Sequence, residues 1–255
     1  MRPLGHKLPP DELKLTQSLY KKSQGEMAPT RATHLANKNA EYFKYMLKQS
    51  LVGAAMGWVF DAPPKEVLET LRKGIEDAPF LPKFGLPFDP GQFRAFLGAG
   101  LLVQDPKVTP WMLDLPREFF SRPDIEYSDA AYLLIEAMQA GGKADKTFSG
   151  AVKKLAAAVT PKKLIVNPRA EKAFFDPLIA LLEAIVAKDQ AGFDKAWKKK
   201  EEVWRKFYSR PAEIRNTASV LDYVALGIGR IAEKHGLNVP TTNPYAPVDL
   251  LQTKA

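Results

Sequence analysis

Residues 170–210 constrain the fold of this chain more than any other stretch, because they read as two helices joined by a short turn. The first half, AEKAFFDPLIALLEAIVAK, is apolar on most of its sides through Phe174, Phe175, Leu178, Ile179, Leu181, Leu182, Ile185 and Val186. A helix of that kind needs a core around it. Asp189-Gln190-Ala191-Gly192 supply the turn. In the second half, FDKAWKKKEEVWRKFYSR, Phe193, Ala196, Trp197, Val203, Trp204, Phe207 and Tyr208 recur at helical spacing with Lys and Glu between them. A buried helix followed by an amphipathic one makes an αα-hairpin with one face in water.

The same periodicity recurs along the chain. Asn39 is placed to cap a helix whose apolar stripe runs from Tyr42 through Phe43, Leu47 and Ala54 to Trp58. Pro63-Pro64 opens a surface helix carrying Val67, Leu68, Leu71 and Ile75 on one side. APFLPKFGLPFDP, residues 78–90, has four prolines and predicts a packed loop without helix. Asp89-Pro90 starts a further helix in which Gly98 and Gly100 suit a close crossing. They do not suit a nucleotide loop, since no strand precedes them. Thr109 and Ser128 read as caps, and residues 148–159 as an amphipathic helix ending before Pro161. Leu164-Ile165-Val166 is too short for a sheet. The last helix begins near Thr217, carries Gly227 and Gly229 as packing positions, and stops at Gly236. The tail LNVPTTNPYAPVDLL then predicts an extended segment anchored by Tyr245 and Leu250.

The expected architecture is all-α: eight or nine helices stacked as irregular antiparallel hairpins, without the fixed period of a repeat array. Residues 1–37 read as a basic polar arm, with one or two amphipathic turns within 11–22. Residues 38–255 read as a single all-α domain.

Composition bears on chemistry. The chain lacks cysteine, which excludes disulfides, thiolate catalysis and cysteine-held metals. Its three histidines, His6, His34 and His235, are scattered, and no HExxH pattern or aspartate-rich loop occurs. No serine sits in a G-x-S-x-G elbow. The paired carboxylates Glu201/Glu202 and Asp124/Glu126 read as solvated helix surface. The expectation is a non-enzyme with no catalytic residues, no cofactor and no metal. No apolar run approaches the roughly 18–20 residues of a membrane span, so membrane insertion is not expected. MRPLGHKLPPDELKL lacks the apolar region of a secretory signal, which points to the cytoplasm.

The formal net charge of +8 would attract nucleic acid, anionic lipid or an acidic protein surface. Lys198-Lys199-Lys200, flanked by Trp197 and Trp204, is the best candidate for a nucleic-acid grip. The two tryptophans lie two helical turns apart and share the inward side, which leaves the lysines as solvent face. The spacing therefore argues against nucleic acid.

Three segments resemble the immunity protein 49 family of bacterial polymorphic toxin systems: LIALLEAIVAKDQAGFDKAWKKKEEVWRKFY, LDYVALGIGRIAEKHGLNVPTTNPYAPVDLL and FRAFLGAGLLVQDPKVTPWMLDLP. Together they span roughly residues 90–250. The resemblance implies an antitoxin that neutralises a cognate toxin by direct protein–protein binding. The positive charge adds that the toxin would present an acidic contact surface, and it speaks against mimicry of nucleic acid. Lys83, Phe84, Lys199, Lys200 and Tyr245 are the candidate contact residues. The competing reading is a non-enzymatic helical adaptor that binds a peptide or another protein.

Overall fold

A computed structural model describes residues 2, 4–121, 126–160, 162–165 and 167–253; Asp124, Pro161 and Val166 fall outside them. In chain order the helices are α1 (Pro10–Met27), α2 (Arg31–Ala36), α3 (Ala40–Val59), α4 (Pro64–Ile75), α5 (Phe80–Lys83), α6 (Pro90–Val103) and α7 (Val108–Asp114). They continue with α8 (Asp129–Lys143), α9 (Phe148–Ala158), α10 (Pro168–Ala187), α11 (Gln190–Tyr208), α12 (Tyr223–Lys234) and α13 (Val248–Gln252). Among the described residues there is no strand.

Short polar side chains fix many of the helix starts. Asn39, Asp89, Asn167, Asp189 and Asp222 accept the N–H groups of Tyr42, Gln92, Ala170, Gly192 and Ala225. Each bond satisfies a donor that the helix itself leaves open, a contribution of about 1 kcal/mol.

The centre of the molecule is the crossing of α6 and α12. A Cβ on Gly227 would lie 2.6 Å from the Gly98 Cα, and one on Gly98 would run into the Tyr223 carbonyl. The two backbones therefore touch without intervening side chains, which is the use expected of these glycines. Helices α4, α7 and α8 pack around α6, while α8 and α10 pack on α12. Neighbours in sequence also pair, α3 with α4, α8 with α9 and α10 with α11. Phe93, Phe96, Leu134, Met138, Leu181, Trp197 and Ile228 fill the spaces between them, all fully buried.

Several elements differ from the sequence reading. Much of the polar arm is the helix α1 rather than a turn or two. Leu13 is fully buried and the Tyr20 ring lies against Gly53 of α3, on which α1 packs. Two such contacts leave the segment polar on average, and an average is what a hydropathy reading sees. The proline-rich segment contains one helical turn, α5, because Pro82 sits where its missing N–H breaks no helical bond. Helix α7 starts at Val108. Asp105 accepts the N–H groups of Lys107 and Val108, while the Thr109 hydroxyl donates to the Gly100 carbonyl instead of capping. Ser128 precedes α8 without a side-chain cap bond. Thr217–Ser219 form a 3-10 turn, and α12 begins only after Asp222. The tail ends in the short helix α13, whose Leu250 and Leu251 are buried.

Candidate functional site

The chemically loaded part of the molecule is a polar centre on the inner side of α11. Trp197, Lys200, Glu201, Trp204 and Tyr208 follow three- and four-residue steps, so the stripe that carries the tryptophans inward carries a lysine and a glutamate with them. Lys200 is 1% exposed. Its Nζ donates to Asp222 Oδ2, while Asp222 Oδ1 caps α12. Burial lowers the Lys200 pKa below its ordinary value, and the Asp222 carboxylate opposes that fall. The Nζ also lies 4.3 Å from the Trp204 ring centre. A charge so deep persists because it has both a carboxylate and an aromatic face.

A second cation stands beside this pair. Arg94 of α6 places its guanidinium carbon 4.6 Å from the centre of the Phe174 ring, the ring that Lys200 approaches to 5.6 Å. Burial pulls the Arg94 pKa down, against the attraction of Asp222, Tyr208, Asp89 and Tyr127. The Tyr208 phenol closes one side and is pushed up to about 12, first by burial and then by Asp222, so it remains an O–H donor.

The other side of the centre joins residues remote in sequence. His6 meets the Tyr245 hydroxyl at 2.9 Å through Nδ1 and the Ser219 hydroxyl at 3.1 Å through Nε2. The Asp222 N–H donates to the Tyr245 carbonyl at 2.7 Å, and Trp204 Nε1 donates to the Ser219 carbonyl at 2.9 Å. Arg205, paired with Glu201, completes this side.

The His6 imidazole is held below its ordinary pKa of 6.5, chiefly by burial and secondly by Arg205. Between that lowered value and 6.5 the unfolded chain binds more protons than the folded one. Stability must therefore fall as pH drops through this window. Unfolding midpoints measured from pH 7 to pH 5 should decline less steeply in His6→Gln than in the native protein. Equal slopes would show that His6 makes no contribution.

The five residues singled out from the sequence separate in the structure. Lys83 is exposed at the end of α5, 5.8 Å from the Phe80 ring centre. Phe84 is half-buried, stacked on Phe80 and tilted against Phe43. Lys199 is exposed and pairs with Glu202 at 3.3 Å. Lys200 and Tyr245 are not at the surface, which corrects the reading of Lys198–Lys200 as a uniform solvent face and of Tyr245 as an exposed contact. In Lys200 the helical register overrides residue type. Tyr245 is 1% exposed because its ring fills the space above Gly5 and its hydroxyl finds His6. Sequence reasoning missed Arg94, Asp222 and His6. Asp222 had a detectable signal, an acidic residue immediately before an apolar helical run.

Among the described residues no group of three or more His, Asp or Glu side chains could hold a metal ion, and no helix is long and apolar enough to cross a membrane. Fold and site together define an all-helical protein with a largely buried charged centre and lysines spread over its outside. The family model described as Immunity protein 49 matches residues 100–250, more than half of the chain, and the chain belongs to that family. The match runs from the last turn of α6 into α13 and includes Lys200, Tyr208, Asp222 and Tyr245. No curated protein and no solved structure matched the chain.

Proposed function

We propose that this protein is an antitoxin that neutralises a cognate toxin by direct binding, without chemistry of its own, in the cytoplasm of a bacterium that carries a polymorphic toxin system. Membership of the Immunity protein 49 family carries this reading. The fold is compatible with it. A scaffold pinned by a backbone-to-backbone helix crossing and by side-chain caps loses little internal freedom on association, so less of the contact energy is spent on ordering.

The proposed partner presents an acidic contact surface to this chain of net charge +8. Complementary charge of that kind raises the rate of encounter, and the effect weakens as salt rises. Lys83, Lys199 and the half-buried Phe84 are the contact residues proposed. Phe207, 39% exposed with the Arg210 guanidinium 4.0 Å from its ring centre, has the aromatic-plus-arginine character of an interface anchor and joins them.

The test is co-expression with the product of the adjacent gene, followed by capture on immobilised protein. Rescue of growth and a stable complex are expected. Combined Lys83→Glu and Lys199→Glu substitution should slow association about tenfold at low salt and lower the unfolding midpoint only slightly, because both side chains are exposed and the Lys199–Glu202 pair that is lost is a surface one. An adjacent gene product that is harmless, or toxicity untouched by this protein, would overturn the proposal.

A further inference from the structure

Arg94 combines two properties seldom found together. Its guanidinium lies deep in the fold, surrounded by α10, α11 and the start of α12, yet part of its surface stays open to water. Its nitrogens are without hydrogen-bond partners and yet are not among the side-chain atoms cut off from water, so the opening reaches the charged group itself. Among the described residues, no hydrogen-bond or ion-pair partner accepts from this guanidinium. The two nearest carboxylates are engaged elsewhere: Asp222 holds Lys200 and the Ala225 N–H, while Asp89 holds the Tyr127 hydroxyl and the Gln92 N–H. The Tyr208 hydroxyl, also without a hydrogen-bond partner among the described residues, belongs to the same surroundings. Half-buried Phe174 lies against the guanidinium, and half-buried Trp204 lies against the neighbouring Lys200.

A buried cation with open donors is costly to keep. Packing does not require this one, since a methionine would fill the same volume against Phe174. We infer that the water-accessible side of the Arg94 guanidinium is a binding site for one carboxylate on an aliphatic stem. The planar guanidinium takes the two carboxylate oxygens side by side, the Tyr208 O–H adds a third donor, and the stem lies between Phe174 and Trp204. A single charge fits better than a phosphate dianion, because Lys200 is already neutralised by Asp222. The carboxylate could arrive on a free acid or on a glutamate side chain of the partner proposed above. Only the second source rests on that proposal.

The test begins with butanoate titrated into the intact protein, followed by Trp204-dependent fluorescence and by the unfolding midpoint, with inorganic phosphate as the control anion. Saturable stabilisation by butanoate is expected, with phosphate much weaker. Arg94→Lys keeps the charge without the fork and should weaken the response about tenfold or more. Arg94→Met should abolish it while leaving the unfolding midpoint equal to or above the native one. That last outcome separates a ligand site from a structural ion, whose loss would lower the midpoint. No saturable response in the native protein, equal responses to the two anions, or a butanoate response that survives in Arg94→Met would each overturn the inference. The second arm repeats toxin capture with Arg94→Met: weakened capture assigns the carboxylate to the partner, and unchanged capture assigns it to a free acid.

Discussion

Asp222→Ala is expected to cost about 3–5 kcal/mol of folding stability, because it leaves the Lys200 ammonium buried without its counter-charge. Asp222 is also 1% exposed, and its other oxygen caps α12, so the same substitution opens the first turn of the helix that crosses α6. The deficit carries a pH signature. Burial lowers the Lys200 pKa from 10.5, so between the lowered value and 10.5 the unfolded chain holds more protons and stability rises with pH. Without Asp222 that lowering deepens. Alkaline solution then allows Lys200 to become neutral, and the gap between variant and native protein narrows. The ionisation of tyrosines remote from Asp222 cancels in the difference, and Tyr208, raised first by burial, keeps its proton in the folded state over this range. Urea unfolding from pH 7 to pH 10 checks this, and a gap that stays constant or widens would contradict it. Asp222→Asn combined with Lys200→Met keeps the cap and removes both charges. It should recover most of the loss, since an apolar replacement of a buried pair is often neutral.

Gly98→Ala is expected to be comparably severe for an unrelated reason. The added methyl meets the carbonyl of Tyr223 and lies against Val224 N, so no side chain can rotate aside to admit it. Overpacking costs about 1–3 kcal/mol where side chains can give way, and more where a backbone must move. The gain of about 1 kcal/mol from replacing a helical glycine offsets only part of this. Gly150→Ala is the matching control, because α9 leaves that site open with nothing within 4 Å. It should stabilise slightly. Thermal or urea unfolding of the two variants tests the pair, and equal behaviour would show that the α6–α12 crossing is loose.

The elements legible in the sequence were those whose cause is local. Asn39 and Asp89 announce helix starts because a short acceptor before an apolar run has few other uses. The glycines of α6 and α12 were readable as packing positions because no strand preceded them. The centre behind α11 was not legible, since its members are brought together by tertiary contact. Nothing local marks Arg94 as different from other arginines, or His6 as more than part of a polar segment. Lys200 shows the limit of residue type as evidence. Three consecutive lysines suggest one surface, but a helix turns about 100° per residue, and the third points where Trp197 and Trp204 point. Of the contact residues proposed from the sequence, Lys83 and Lys199 are exposed as a surface reading expects, while Lys200 and Tyr245 are buried.

The pairing of His6 with Tyr245 spans 239 positions. A chain synthesised from its N-terminus can set α1 on α3 early, but His6 and Glu12 must wait for Ser219, Arg215 and Tyr245. Closure across so long a separation is slow relative to pairing between neighbouring helices. Helices α8–α11 can therefore assemble while the translating ribosome still carries the remainder, and the polar centre seals last, as a latch drawn across the finished bundle.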